Sequence, residues 1–129
     1  RPDIQFAAKE VSRAMAKPTI GDWPKVKRLA RYLINFPRAV FEFKFQAPQT
    51  KIRVYSDTDH AGCIKTRKST QGGVVMVGQN CLKNWSSTQA IISLSSGESE
   101  YYGVVKASSI GLGIKSMFAD FPKCRELHP

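Results

Sequence analysis

The apolar residues of this chain change period twice, and that order limits the folds open to it. Ile4, Ala7, Val11 and Met15 recur at helical spacing, and Val26, Leu29, Tyr32 and Leu33 form the apolar side of a second helix. Phe41, Phe43 and Phe45 then alternate with Glu42 and Lys44, and Ile52 and Val54 alternate with Arg53 and Tyr55, the period of half-buried strands. Helical spacing returns after Ser95. The reading is an α+β domain: two helices, a strand, an antiparallel three-stranded sheet and one long helix.

Local signals sharpen the boundaries. Asp3 is expected to cap the first helix and Lys17-Pro18 to stop it; Asp22 is expected to cap the second, with Pro24 in its first turn. Gln46–Gln49, with Pro48, reads as a turn. Strands are expected at 51–57, 72–78 and 81–87, the last two joined by a Gly78-Gln79-Asn80 hairpin turn, with Val75 and Trp85 in the core. Ser95-Ser96-Gly97-Glu98 reads as a capping box that opens a helix from about residue 97 to 120, ended by Pro122.

At 129 residues the chain holds one sizeable core. No apolar run approaches the roughly 20 residues of a membrane span. Arg1-Pro2-Asp3 has neither an apolar leader nor an initiator Met, as expected of a piece of a longer chain or a processed one. Cys63, Cys81 and Cys124 are widely spaced and odd in number, which fits a reduced compartment, cytoplasm or nucleus, rather than secretion. The net charge is +10, and the front half carries most of it: residues 1–56 hold 12 basic and 4 acidic residues. A polyanion, most commonly nucleic acid, is the natural partner of such a surface, and a solvated basic face is the bland reading. Lys25, Lys27, Arg28 and Arg31 make the second helix the most basic one. The polar stretch after the first sheet strand adds Lys65, Arg67 and Lys68.

Two carboxylates stand out by placement. Asp57 ends an apolar strand, where an Asp is more often a turn residue than a ligand. Glu100 lies too deep in its helix to cap it, on a face with Gly103, Val104 and Ala107, whereas Glu98 has the capping role. A helix packed across the sheet would set Glu100 beside Asp57. Two close carboxylates repel unless a divalent cation lies between them, and hard oxygen ligands favour Mg²⁺ or Mn²⁺.

These residues also form recognisable motifs. Tyr55-Ser56-Asp57-Thr58-Asp59-His60-Ala61-Gly62 resembles the YSDADWAG segment of the ribonuclease H region in copia-type retrotransposon polyproteins. Thr66–Gly73, Trp85-Ser86-Ser87 and Leu94–Tyr101 are similar to further segments of that region. Arg1–Ile4 and Trp23–Leu33 resemble the connection from the reverse transcriptase. The resemblance covers about residues 1–120. It implies a connection segment at 1–50, the front of an RNase H-like (α/β) domain at 51–120, and a divergent tail at 121–129.

The resemblance further implies cleavage of the RNA strand of an RNA–DNA hybrid, with divalent metal held by Asp57 and Glu100 and with Asp59 as a turn or outer-shell residue. The reverse transcriptase portion of the same polyprotein becomes an expected partner. His60 replaces the family's Trp and reads as a surface loop residue. The family continues into another strand with a third carboxylate and later a fourth; Asp120 and Glu126 are not in motif context to replace them. The isolated chain is therefore expected to be inactive. A non-catalytic remnant that binds nucleic acid through its basic helix is the alternative. A sequence-specific transcription factor is disfavoured, because that helix lacks a mixed Asn, Gln and Arg reading face.

Overall fold

The computed structural model describes residues 1–121; Pro122, Cys124, Glu126 and the rest of the expected tail lie outside the described residues. Helix α1 spans Gln5–Ser12 and α2 Trp23–Asn35. Strands β1 (Ile52–Asp59), β2 (Thr70–Val77) and β3 (Asn80–Thr88) follow, and α3 (Ser96–Ala119) is the longest helix. The sheet is antiparallel in the order β1-β2-β3, so both β1 and β3 are edges.

The strands run slightly beyond the pattern-based bounds, because Thr58-Asp59 pairs with Gln71-Thr70. Turning the hairpin requires Gly78, which has φ +58°, and Gln46 occupies the space a side chain there would need. Ser95 caps α3 by accepting from the Glu98 backbone N–H. The Glu98 carboxylate reaches one residue further back than a simple capping box, to the Leu94 N–H at 2.7 Å.

Several expectations are corrected. Residues 36–51 contain no strand, and no turn forms at Gln46–Gln49; period two in the Phe row specifies an extended chain but supplies no partner to pair with. Asp3 does not cap α1. A 3₁₀ turn, Pro2–Ile4, leads into the helix, and the Asp3 carboxylate is held by the Arg1 guanidinium at 2.8 Å. Helix α1 stops at Ser12, leaving Met15 beyond it and largely exposed. Asp22 is not the capping acceptor of α2: a Thr19/Asp22 capping box closes the preceding 3₁₀ turn, Ile20–Asp22, with the Asp22 carboxylate accepting from the Thr19 N–H.

The core is small and polar. Val75 and Ala107 are its buried apolar residues, and Thr58, Ser69, Gln71, Gln89, Ser93 and Ser99 are buried beside them. Gln89 organises this layer: its amide donates to the Ser99 carbonyl at 2.8 Å, and its side-chain oxygen accepts from Ser93 at 3.0 Å. Such bonds keep buried polar groups from costing stability. Trp85, expected in the core, is only half-buried: its ring lies across Gly73 on the face that α3 packs on, but α3 runs along β1 and leaves β3 uncovered.

Candidate functional site

Strand β1 positions the first carboxylate. Ile52, Val54, Ser56 and Thr58 turn inward, whereas Arg53, Tyr55, Asp57 and Asp59 are exposed. The inward row meets α3 closely. A Cβ on Gly103 would come within 2.5 Å of the Thr58 hydroxyl, and one on Gly111 within 2.9 Å of Val54. Ser99, Gly103 and Ala107 form the buried line of α3, one residue per turn or so. α3 thus lies along β1, the edge strand, and touches β2 little.

Asp57 and Glu100 border the same end of this contact, flanking Thr58 and Gly103. The alternation of β1 turns Asp57 away from the Thr58 row, while Glu100 sits half-buried on the helix that covers that row. Among the described residues β1 has no strand on its outer side, and Asp57 lies on this edge strand. Asp57 pairs across the sheet with Gly72, which leaves the space around it clear. The Asp59 carboxylate folds over Gly62, filling space a side chain there would need, which is a turn-stabilising placement. His60 is exposed on the loop.

Lys65 and Arg67 are exposed in the loop from β1 to β2, and Lys68 is half-buried there. The loop turns tightly: Ala61 and Arg67 both have left-handed backbones, at φ 53° and 56°. It follows directly from the Asp57 end of β1 and leads into β2. On α2, Val26, Leu29 and Leu33 face inward, and Lys25, Lys27, Arg28 and Arg31 are exposed. Two of the four are engaged: Lys25 pairs with Asp22 at 2.9 Å, and Lys27 lies 5.6 Å from the centre of the Trp23 ring.

Comparisons with known proteins place this arrangement. The chain is 34% identical over 109 residues to the retrovirus-related Pol polyprotein from transposon RE2 of Arabidopsis thaliana, covering 84% of this chain and 7% of that one. It is 33% identical over 108 residues to secreted RxLR effector protein 161 of Plasmopara viticola, covering 84% of this chain and 75% of that protein. An uncharacterized mitochondrial protein of Arabidopsis thaliana is 35% identical over 103 residues, 78% of this chain and 42% of its own length. The chain belongs to one family with the effector protein, three quarters of whose length it matches, and is homologous to a segment of the transposon Pol polyprotein. It spans less than half of the mitochondrial relative and a small fraction of the polyprotein. No protein-family model matches the chain, and no solved structure matches it significantly.

Relationship to a polyprotein segment frames what the acids can do. Among the described residues no group of three or more His, Cys, Asp or Glu side chains could hold a metal ion. Asp57 and Glu100 offer hard oxygen donors of the right kind, but two donors fall short of a two-metal set. No helix among the described residues is long and apolar enough to cross a membrane.

Two features escaped sequence reasoning. The Thr58 hydroxyl is buried between β1 and α3 without a hydrogen-bond partner. Cys63 accepts from the Arg13 guanidinium, and the Thr66 hydroxyl first and Arg13 second lower its pKa to about 7 from an ordinary 9.0. Both depend on contacts between distant or differently patterned segments, for which the sequence carries no local signal.

Proposed function

We propose that this chain is the leading part of a copia-type retrotransposon RNase H domain, which in its complete form cleaves the RNA strand of RNA–DNA hybrids inside the cell. The observation that carries this reading is the open edge of β1, bordered by Asp57 and overhung by the helix that bears Glu100. A further strand paired to that edge would bring additional carboxylates between the two acids already there. Mg²⁺ or Mn²⁺ would be held by Asp57, Glu100 and those added groups, and would supply charge stabilisation for phosphodiester hydrolysis. A groove of about 720 Å³ between β1 and α3, floored by Val54, Val104, Ala107 and Leu112, is the space such a strand would fill. Lys27, Arg28 and Arg31 would track hybrid phosphates, a contact that is independent of sequence and weakens with salt. The reverse transcriptase portion of the same polyprotein is the neighbouring partner.

The second reading, a non-catalytic remnant that only binds nucleic acid, is supported for the chain alone by the lack of a group of three metal-ligating side chains among the described residues. Hybrid cleavage assays separate the two. The 129-residue chain should leave the RNA strand of a hybrid intact in Mg²⁺. Joined to the family's following strand and helices it should cleave, and Asp57→Asn or Glu100→Gln should abolish that activity. Cleavage that survives Glu100→Gln would remove Glu100 from the site. A completed domain that binds hybrid but never cleaves would leave the remnant reading.

A further inference from the structure

The fold leaves a row of bare aromatic rings in front of the sheet. Phe41 is 48% exposed, Phe43 60% and Phe45 fully exposed. Residues 36–51 run without helix, strand, turn or bend. All three rings lie on this one uninterrupted course, at every second position. The row is nevertheless tied down at both ends. Gln46 donates to the Val77 carbonyl at 2.8 Å and accepts from the Gln79 N–H at 2.9 Å, and Asn80 donates to the Lys44 carbonyl at 3.2 Å. At the other end the Arg1 guanidinium donates to the Phe36 and Pro37 carbonyls, at 2.8 and 3.0 Å. Residues 36–53 carry four cations, Arg38, Lys44, Lys51 and Arg53, against one acid, Glu42.

We propose that Phe41, Phe43 and Phe45 are a stacking platform for a single strand of nucleic acid, with Arg38 and Lys44 beside its phosphates. Exposed rings along a cationic path bind any base by its flat face. A base lays its face on a ring only where it is unstacked from its neighbour, which a free single strand allows and a duplex resists. The site is separate from α2 and from the β1 edge. It deepens the proposed handling of a hybrid by adding a place for displaced or unpaired strand.

The test is fluorescence anisotropy of the full chain with a short labelled oligothymidine and, in parallel, with an RNA–DNA hybrid. Combined Phe41→Ala, Phe43→Ala and Phe45→Ala substitution should weaken oligothymidine binding at least about tenfold, in line with loss of base–aromatic stacking. Hybrid affinity and circular dichroism should not change, because the rings are exposed. Phe→Tyr at all three positions should restore oligothymidine binding. Reversing Lys27, Arg28 and Arg31 to Glu should weaken hybrid binding, so failure of the α2 contact and failure of the platform are read separately. Unchanged oligothymidine affinity in the triple Ala variant would overturn the proposal. So would a triple variant whose only change, by sedimentation, is loss of self-association, since the rings would then face a second copy of the chain.

Discussion

Residues 1–51 contain no buried residue at all, whereas every buried residue among those described lies between Thr58 and Ala107. The front region carries most of the net charge and most of the exposed aromatic rings; the back region has the sheet, the long helix and the polar core. The front is built from helices whose polar sides face water and from a chain segment anchored by side-chain bonds to a hairpin. The back is built from backbone pairing and close approach, with glycines where helix meets strand. Net charge and exposed rings thus gather on one stretch of sequence, backbone pairing and close packing on another. A change should register strongly in one property and weakly in the other, according to where it falls.

The sharpest contrast is a single added side chain. Gly103→Val forces atoms into the Thr58 hydroxyl at the α3–β1 contact, and overpacking of this kind should cost about 3 kcal/mol in urea unfolding. Ala30→Val, on the exposed side of α2, should cost under about 0.5 kcal/mol. Equal losses at the two sites would break the division. A smaller effect of opposite sign is expected at Thr58. Its hydroxyl is buried and unpaired, so Thr58→Ala, which also matches the related YSDADWAG motif, should stabilise by about 1 kcal/mol in the same measurement. Destabilisation there would mean that the methyl group packs better than the orphan hydroxyl costs.

The last expectation concerns the one place where the regions meet through a reactive group. Arg13, just past α1, reaches Cys63 in the β1–β2 loop. The thiolate of Cys63 is favoured, so its alkylation rate by iodoacetamide should rise with pH through a midpoint of about 7, below the ordinary thiol value of 9.0. Arg13→Ala should move the midpoint upward without changing the unfolding midpoint appreciably. An unmoved midpoint would assign the shift to Thr66 alone and leave the two regions uncoupled here.

Much of the back region was legible because its signals are local. Gly78-Gln79-Asn80 between two apolar runs marks the hairpin, and Ser95 with Glu98 marks the start of α3. The Phe41–Phe45 strand was misread because alternation describes one chain, while a strand is a property of two. Trp85 carries the size and hydrophobicity of a core residue, but α3 runs along β1, two strands away, so the ring covers Gly73 and stays half-buried. Asp57 and Glu100 were legible as unusual acids, and their approach to one end of the α3–β1 contact follows from the expected packing. The exposed row of Asp57 was legible too, since Ile52 and Val54 alternate with Arg53 and Tyr55; the burial of Thr58 against Gly103 was not, because it needs β1 to run on to Asp59. The capping of α2 was shifted by three residues because Thr19 and Asp22 are both good cap residues, and only the backbone decides between them.

The unpaired side of β1 has a practical consequence for handling this polypeptide. A strand with free N–H and C=O groups is a template for another strand, and in concentrated solution the nearest supply is a neighbouring copy. Exposed Arg53 on β1 and Lys51 just before it set like charges against each other when two such edges approach in register. High salt would screen that repulsion. The chain should therefore precipitate or form ordered β aggregates more readily as ionic strength rises, the reverse of a protein kept apart by hydration alone.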